Sequence, residues 1–140
     1  MSARPLAQSD AAGARVLIEA QFNGTRYLAR LLEQLDAALT GDDPEYCGLI
    51  ADDGGLILYG PLAGAVGVVK LHAIVGDAED VLHGVITDDA RMIVCEIPYD
   101  APFQAASETL LRRGFIREGR VDAWFSDEIA LDILVYRPAH

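Results

Sequence analysis

Two apolar runs constrain this chain more than any other feature. Ala65 to Val75 and Arg91 to Ile97 are rich in Val and Ile and bounded by Gly, Asp and Pro, the pattern of central strands buried on both faces. Between them lies Gly76 to Ala90, an acidic segment that carries His83. In open α/β sheets ligands bind beyond the carboxyl ends of the strands, so Gly76 to Asp80 is the expected ligand edge.

The length of 140 residues, with 51% apolar residues, suits one domain, residues 1–140, with a core that needs neither disulfides nor metal. Leu56 to Val69 is uncharged but is broken by Gly60, Pro61, Gly64 and Gly67 and falls short of the roughly 20 residues a bilayer requires. The opening MSARPLAQSD lacks the apolar core of a signal peptide, so a cytoplasmic location is expected. Cys47 and Cys95 lie in apolar runs, where free cysteine packs as a small hydrophobe. A net charge of −11 argues against nucleic acid as a partner, since that binding runs on Lys and Arg, and favours a cationic or amine partner. Only one of the eleven basic residues is a lysine, Lys70.

Taken in order, Ala3 to Leu6 reads as a first strand, and Ser9 or Asp10 as the cap of a helix to Ala20 with Val16, Leu17 and Ala20 inward. A second amphipathic helix runs from Arg26 to before Gly41 on Leu28, Leu31, Leu32, Leu35 and Leu39. Glu45 to Ala51 and Leu56 to Gly60 flank the turn signal Asp52-Asp53-Gly54-Gly55. After the central pair of strands, with a short helix Glu79 to Ile86 between them, a helix spans Ala101 to Arg113 and closes on Gly114. Its buried stripe is Phe103, Ala106 and Leu110, and Glu108 and Arg112 make an exposed pair. Phe115 to Val121 and Ile129 to Tyr136 are the last strands. The order β α α β β β (α) β α β β implies a mixed α/β (α+β) fold.

That order, the opening R-P-L-x-x-x-D (Arg4, Pro5, Leu6, Asp10), the strand-turn-strand from Gly48 to Gly60 and above all the C-terminal block resemble the GNAT acetyltransferase superfamily. The block is L-x-x-x-G-F-x-x-x-G-R from Leu110 to Arg120, then Trp124-Phe125 and Asp132 to Arg137; it is similar to many bacterial members. The resemblance implies a three-layer fold, a central, mostly antiparallel sheet of six to seven strands with helices on both faces. It also implies acetyl-CoA as co-substrate and transfer of an acetyl group to the amine of a small molecule or peptide.

Family members bind the CoA diphosphate through R/Q-x-x-G-x-G/A after the fourth strand. Here Gly76-Asp77-Ala78-Glu79-Asp80 stands in its place, short and acidic, and carboxylates repel phosphates. The resemblance leaves Leu71, Ala73, Ile74, Val75 and Gly76 to hold the pantetheine arm through backbone groups, with Arg112 and Arg113 as substitute phosphate partners. For the chemistry, His72 is the candidate base, with Glu96 as base or ammonium-binding group. Leu110 occupies the position of the usual acid tyrosine, leaving Tyr99 or Tyr136. No metal site is expected, because His83 and His140 have no ligand-like spacing with each other or with the cysteines. The alternative is a catalytically degenerate module that binds a partner or forms a homodimer, with Pro61 to Val69 as the candidate surface.

Overall fold

In the computed structural model, residues 3–52, 54–86 and 90–138 are described. Asp53 of the expected turn, residues 87–89 of the acidic connector and His140 lie outside them. A seven-stranded sheet forms the middle of the molecule: β1 (Arg4–Pro5), β2 (Cys47–Ile50), β3 (Leu56–Pro61), β4 (Val68–Val75), β5 (Met92–Pro98), β6 (Ile116–Ser126) and β7 (Ile129–Tyr136). The spatial order is β1-β2-β3-β4-β5-β7-β6. Every adjacent pair is antiparallel except β4 and β5.

The helices are α1 (Ala11–Phe22), α2 (Leu28–Thr40), α3 (Glu79–Val85) and α4 (Gln104–Arg112), the last preceded by a 3-10 turn at Ala101–Phe103. The crossovers β4-α3-β5 and β5-α4-β6 advance in the same direction along the sheet, so right-handed connection places α3 and α4 on one face. The pair α1 and α2 covers the other. This is the mixed, helix-flanked architecture expected from the sequence.

Several local expectations need correction. The first helix buries Ala14, Ile18 and Phe22, a single row at four-residue spacing, whereas Val16 is 62% exposed and Ala20 is also exposed. The helix runs on to Phe22, and that large ring fixes the face. Asp10 does not cap it; the carboxylate accepts two hydrogen bonds from the Arg4 guanidinium (2.8 and 2.7 Å) and one from the Ala7 N–H at 2.8 Å. These bonds hold Asp10 down to about 2 and tie β1 to the start of α1.

Strand β4 begins at Val68 rather than Ala65, because residues 62–67 form turns through Gly64 and Gly67, both at positive φ. Leu62 and Val66 in that stretch are exposed. Strand β6 continues past Val121 to Ser126 across a register shift, with Ala123 at φ 54°. Cys95 is buried and Cys47 only half-buried.

Candidate active site

The two central strands part company where the chemistry-bearing residues lie. Pairing of β4 with β5 runs from Val68 opposite Met92 to Leu71 opposite Cys95 and ends there. On the other side of β4 the register with β3 steps from Leu71 opposite Tyr59 to Ala73 opposite Leu58, skipping His72. His72 is thus the extra residue of a β-bulge, and a bulge bends its strand and sharpens its twist. From His72 onward β4 diverges from β5, leaving a wedge between the backbone of 72–75 and the end of β5.

Neighbouring backbone sets the His72 ring. Its Nε2 lies 2.7 Å from the Glu45 carbonyl oxygen; a carbonyl only accepts, so Nε2 carries the hydrogen and the neutral ring keeps its lone pair on Nδ1. The ring stacks on Tyr46 with centroids 4.4 Å apart. That carbonyl reaches its position because residue 60 is glycine: a Cβ there would lie 1.9 Å from Glu45 O. Burial is the main influence on the imidazole and lowers its pKa below the ordinary 6.5, with the cations Lys70 and Arg30 adding to it and the Glu45 carbonyl opposing it.

Glu96 follows Cys95, the last residue of β5 paired with β4, and its Oε1 lies 3.5 Å from Lys70 Nζ. His72, Glu96 and Lys70 line one cleft of about 440 Å³, together with Glu45, Tyr46 and Trp124. His72, Glu96, Arg30, Gln34 and Phe125 also border a narrower apolar space of about 160 Å³ that runs into the wedge past Ala73, Cys95 and Phe103. The structure therefore brings His72 and Glu96 together beside a slot walled by Ala73 and Ile74. Leu71 is the last residue of β4 in register with β5, so the diverging edge starts one residue later than the sequence suggested.

Tyr99 lies elsewhere. It is 62% exposed, with the Arg120 guanidinium carbon 3.9 Å from its ring centroid, and it borders a separate hollow beside α4. Arg120 in turn bridges to the buried Asp132 at 2.6 and 3.0 Å. Tyr136 packs its ring on Phe115.

The far end of the wedge is tied down by α1. The Gly76 N–H donates to Gln21 Oε1 at 2.8 Å, and Gln21 Nε2 donates to the Pro102 carbonyl at 3.0 Å. Gly76, at φ 70°, also admits the Gly54 carbonyl to within 2.1 Å of where a Cβ would stand. The Phe22 and Tyr27 rings lie 5.0 and 4.7 Å from Phe103, and the Tyr27 hydroxyl donates to Asp100 at 2.8 Å.

At the start of α3, both Arg112 and Arg113 converge on Glu79. Arg112 Nη2 donates to Oε1, and Arg113 Nε to Oε2 at 2.6 Å. The pairing of Arg112 with Glu108 expected from i,i+4 spacing is replaced by this longer-range one; Glu108 accepts from Gln104. The arginines and the acidic connector are therefore neighbours, and the Arg112 contact holds Glu79 below the usual carboxylate range.

Glu45, Tyr46, Arg30 and Gln34 also line the cleft without a sequence motif that marks them for it. Glu45 contributes a backbone carbonyl, which leaves no side-chain signal. Tyr46, just before a strand, reads as ordinary packing.

No protein-family model and no curated protein sequence matches the chain. Solved structures do. One from Desulfovibrio desulfuricans, described as a GNAT-family acetyltransferase, superposes with a TM-score of 0.80 at 21% identity over 99% of both chains. The chain has the GNAT fold. The aminoglycoside 6'-N-acetyltransferase of Enterococcus faecium is similar at TM-score 0.70 and 11% identity, covering 100% of this chain and 99% of that one. A Salmonella typhimurium acetyltransferase structure containing acetyl-CoA matches at 0.65 and 16%, covering 100% and 95%. At these identities the GNAT likeness is one of architecture, and it explains why β4 and β5 are the only parallel neighbours among the described strands.

Proposed function

We propose that this protein transfers an acetyl group from acetyl-CoA to the amine of a small molecule or peptide. The observation that carries the reading is the wedge between β4 and β5 with His72 and Glu96 at its apex. The slot walled by Ala73, Ile74 and Ile97 suits an extended amide chain, whose polar groups can pair with strand backbone without any special side chain. Arg112 and Arg113, beside the start of α3, are the groups suited to the diphosphate, in competition with Glu79. When bound, acetyl-CoA supplies an activated acyl carbonyl.

The chain's own residues hold and deprotonate the acceptor. Glu96 attracts an ammonium into the cleft, and His72, neutral with its Nδ1 lone pair, takes the proton that the nitrogen must lose before it can attack. The backbone N–H groups of Ile74 or Val75 are the candidate donors to the oxygen on which charge develops. Tyr46, Trp124 and Phe125 give the acceptor side apolar walls, which favours amines carrying a ring or an aliphatic face. Tyr99 lies outside this cleft, in the hollow beside α4.

The test is thiol release from acetyl-CoA in the presence of a panel of primary amines. Turnover should fall by about a hundredfold or more in Glu96→Gln and His72→Gln, the scale of a lost general base. Continuous thiol release without added amine, beyond one equivalent per chain, or turnover indifferent to both substitutions, would contradict the proposal.

A further inference from the structure

We propose that Lys70 is itself an acyl acceptor, so that the protein carries out a single, site-specific self-acylation. The proposal rests on the reading that a thioester seats in the wedge, and three observations carry it. Lys70 is the sole lysine in a chain whose other ten basic side chains are arginines, and an arginine guanidinium remains protonated where a lysine amine can become a nucleophile. Its Nζ rests 3.5 Å from Glu96 Oε1, the position in which an external ammonium would be held. Lys70 and His72 lie two residues apart on β4 and line the same cleft, at the point where that strand leaves β5. Tethering such an amine beside a reacting carbonyl replaces a bimolecular encounter with an intramolecular one, a large advantage when the geometry is right.

The step balances without an oxidant or reductant. The Lys70 ammonium gives one proton to the Glu96 carboxylate, and the neutral nitrogen forms a C–N bond to the thioester carbonyl carbon. The C–S bond breaks, the nitrogen loses its second proton, and the thiolate takes up one of the two while the other leaves to solvent. The amide that results is uncharged. Acylation therefore releases the Glu96 carboxylate from its internal cation and removes one of the charges that depress His72, so the modified cleft favours an external ammonium.

The full-length protein is incubated separately with acetyl-CoA and with S-acetyl-N-acetylcysteamine, a thioester without a diphosphate, and followed by intact-mass spectrometry and peptide mapping. Acetyl-CoA binding is measured in parallel by calorimetry. The expected result is one acetyl group on Lys70, none there in Lys70→Arg, and a rate about a hundredfold lower in Glu96→Gln. If acetyl-CoA binds but neither donor modifies Lys70, the self-acylation is overturned while the proposed function stands. If acetyl-CoA does not bind but the small thioester modifies Lys70 in a Glu96-dependent way, the proposed function fails and the self-acylation stands. Equal rates in the native and urea-unfolded chain, or acetyl only on the terminal α-amino group, overturn it as well.

Discussion

Arg113 Nε lies 2.6 Å from Glu79 Oε2, so a cation from the end of α4 is held by a carboxylate at the first residue of α3. Arg112 joins the same carboxylate. Under the proposed function this corner is the diphosphate end of the wedge, where Glu79 would compete with the phosphates for the two arginines. Replacing it with Gln should tighten acetyl-CoA binding by about two- to fivefold, the scale of an exposed ion pair. Binding of a pantetheine fragment without phosphates should stay unchanged. Calorimetry on the two ligands checks this, and weaker binding of acetyl-CoA would instead mean that Glu79 positions the arginines.

His72 makes stability depend on pH with a definite sign. Its folded-state pKa is lowered from 6.5 by burial, so between the folded and unfolded values the unfolded chain binds more protons. The stabilisation is complete above the unfolded pKa, falls as pH drops through 6.5, and levels off below the folded value. The melting temperature of His72→Gln should fall less over that interval than that of the wild type. The acid limb of acetyl transfer should likewise lie below pH 6.5.

The two thiols should differ sharply. Burial pushes the Cys95 thiol up to about 12, so it is neither ionised nor accessible in the native state. Cys47 is half-buried on β2. A thiol reagent in mildly alkaline buffer should label Cys47 first and reach Cys95 only on unfolding, which mass spectrometry of the labelled peptides reads directly.

Phe22 backs Phe103, which borders the narrow space of the wedge. It is fully buried and packs on Phe103 at 5.0 Å. Phe22→Ala should cost about 3–5 kcal/mol of stability through lost contacts and the cavity left behind. Urea unfolding measures it; a cost near zero would mean that this corner repacks freely.

Much of the architecture was legible because it depends on local pattern. The leucine spacing of α2, the Gly-rich β2–β3 turn and the apolar runs of β4 and β5 each state their element within a few residues. What the sequence hid depends on distant neighbours. The bulge at His72 follows from the register with β3, and the ring's tautomer from a Glu45 carbonyl admitted by Gly60. Arg112 was expected to pair four residues away and instead meets Glu79, 33 residues off. The face of α1 was misjudged because Phe22 lies beyond the expected end of the helix. Of the candidate residues, His72 and Glu96 share the cleft because β4 and β5 run parallel and in register until just before them; Tyr99, past the end of that strand, belongs to another surface.

Calorimetric titration of the intact protein with acetyl-CoA asks whether the wedge between β4 and β5 receives that ligand. One-to-one binding in the micromolar range is expected, weakened by about tenfold when Arg112 and Arg113 are both changed to Ala, the scale of two charge-assisted phosphate contacts. Absence of binding at millimolar acetyl-CoA would contradict the proposed function.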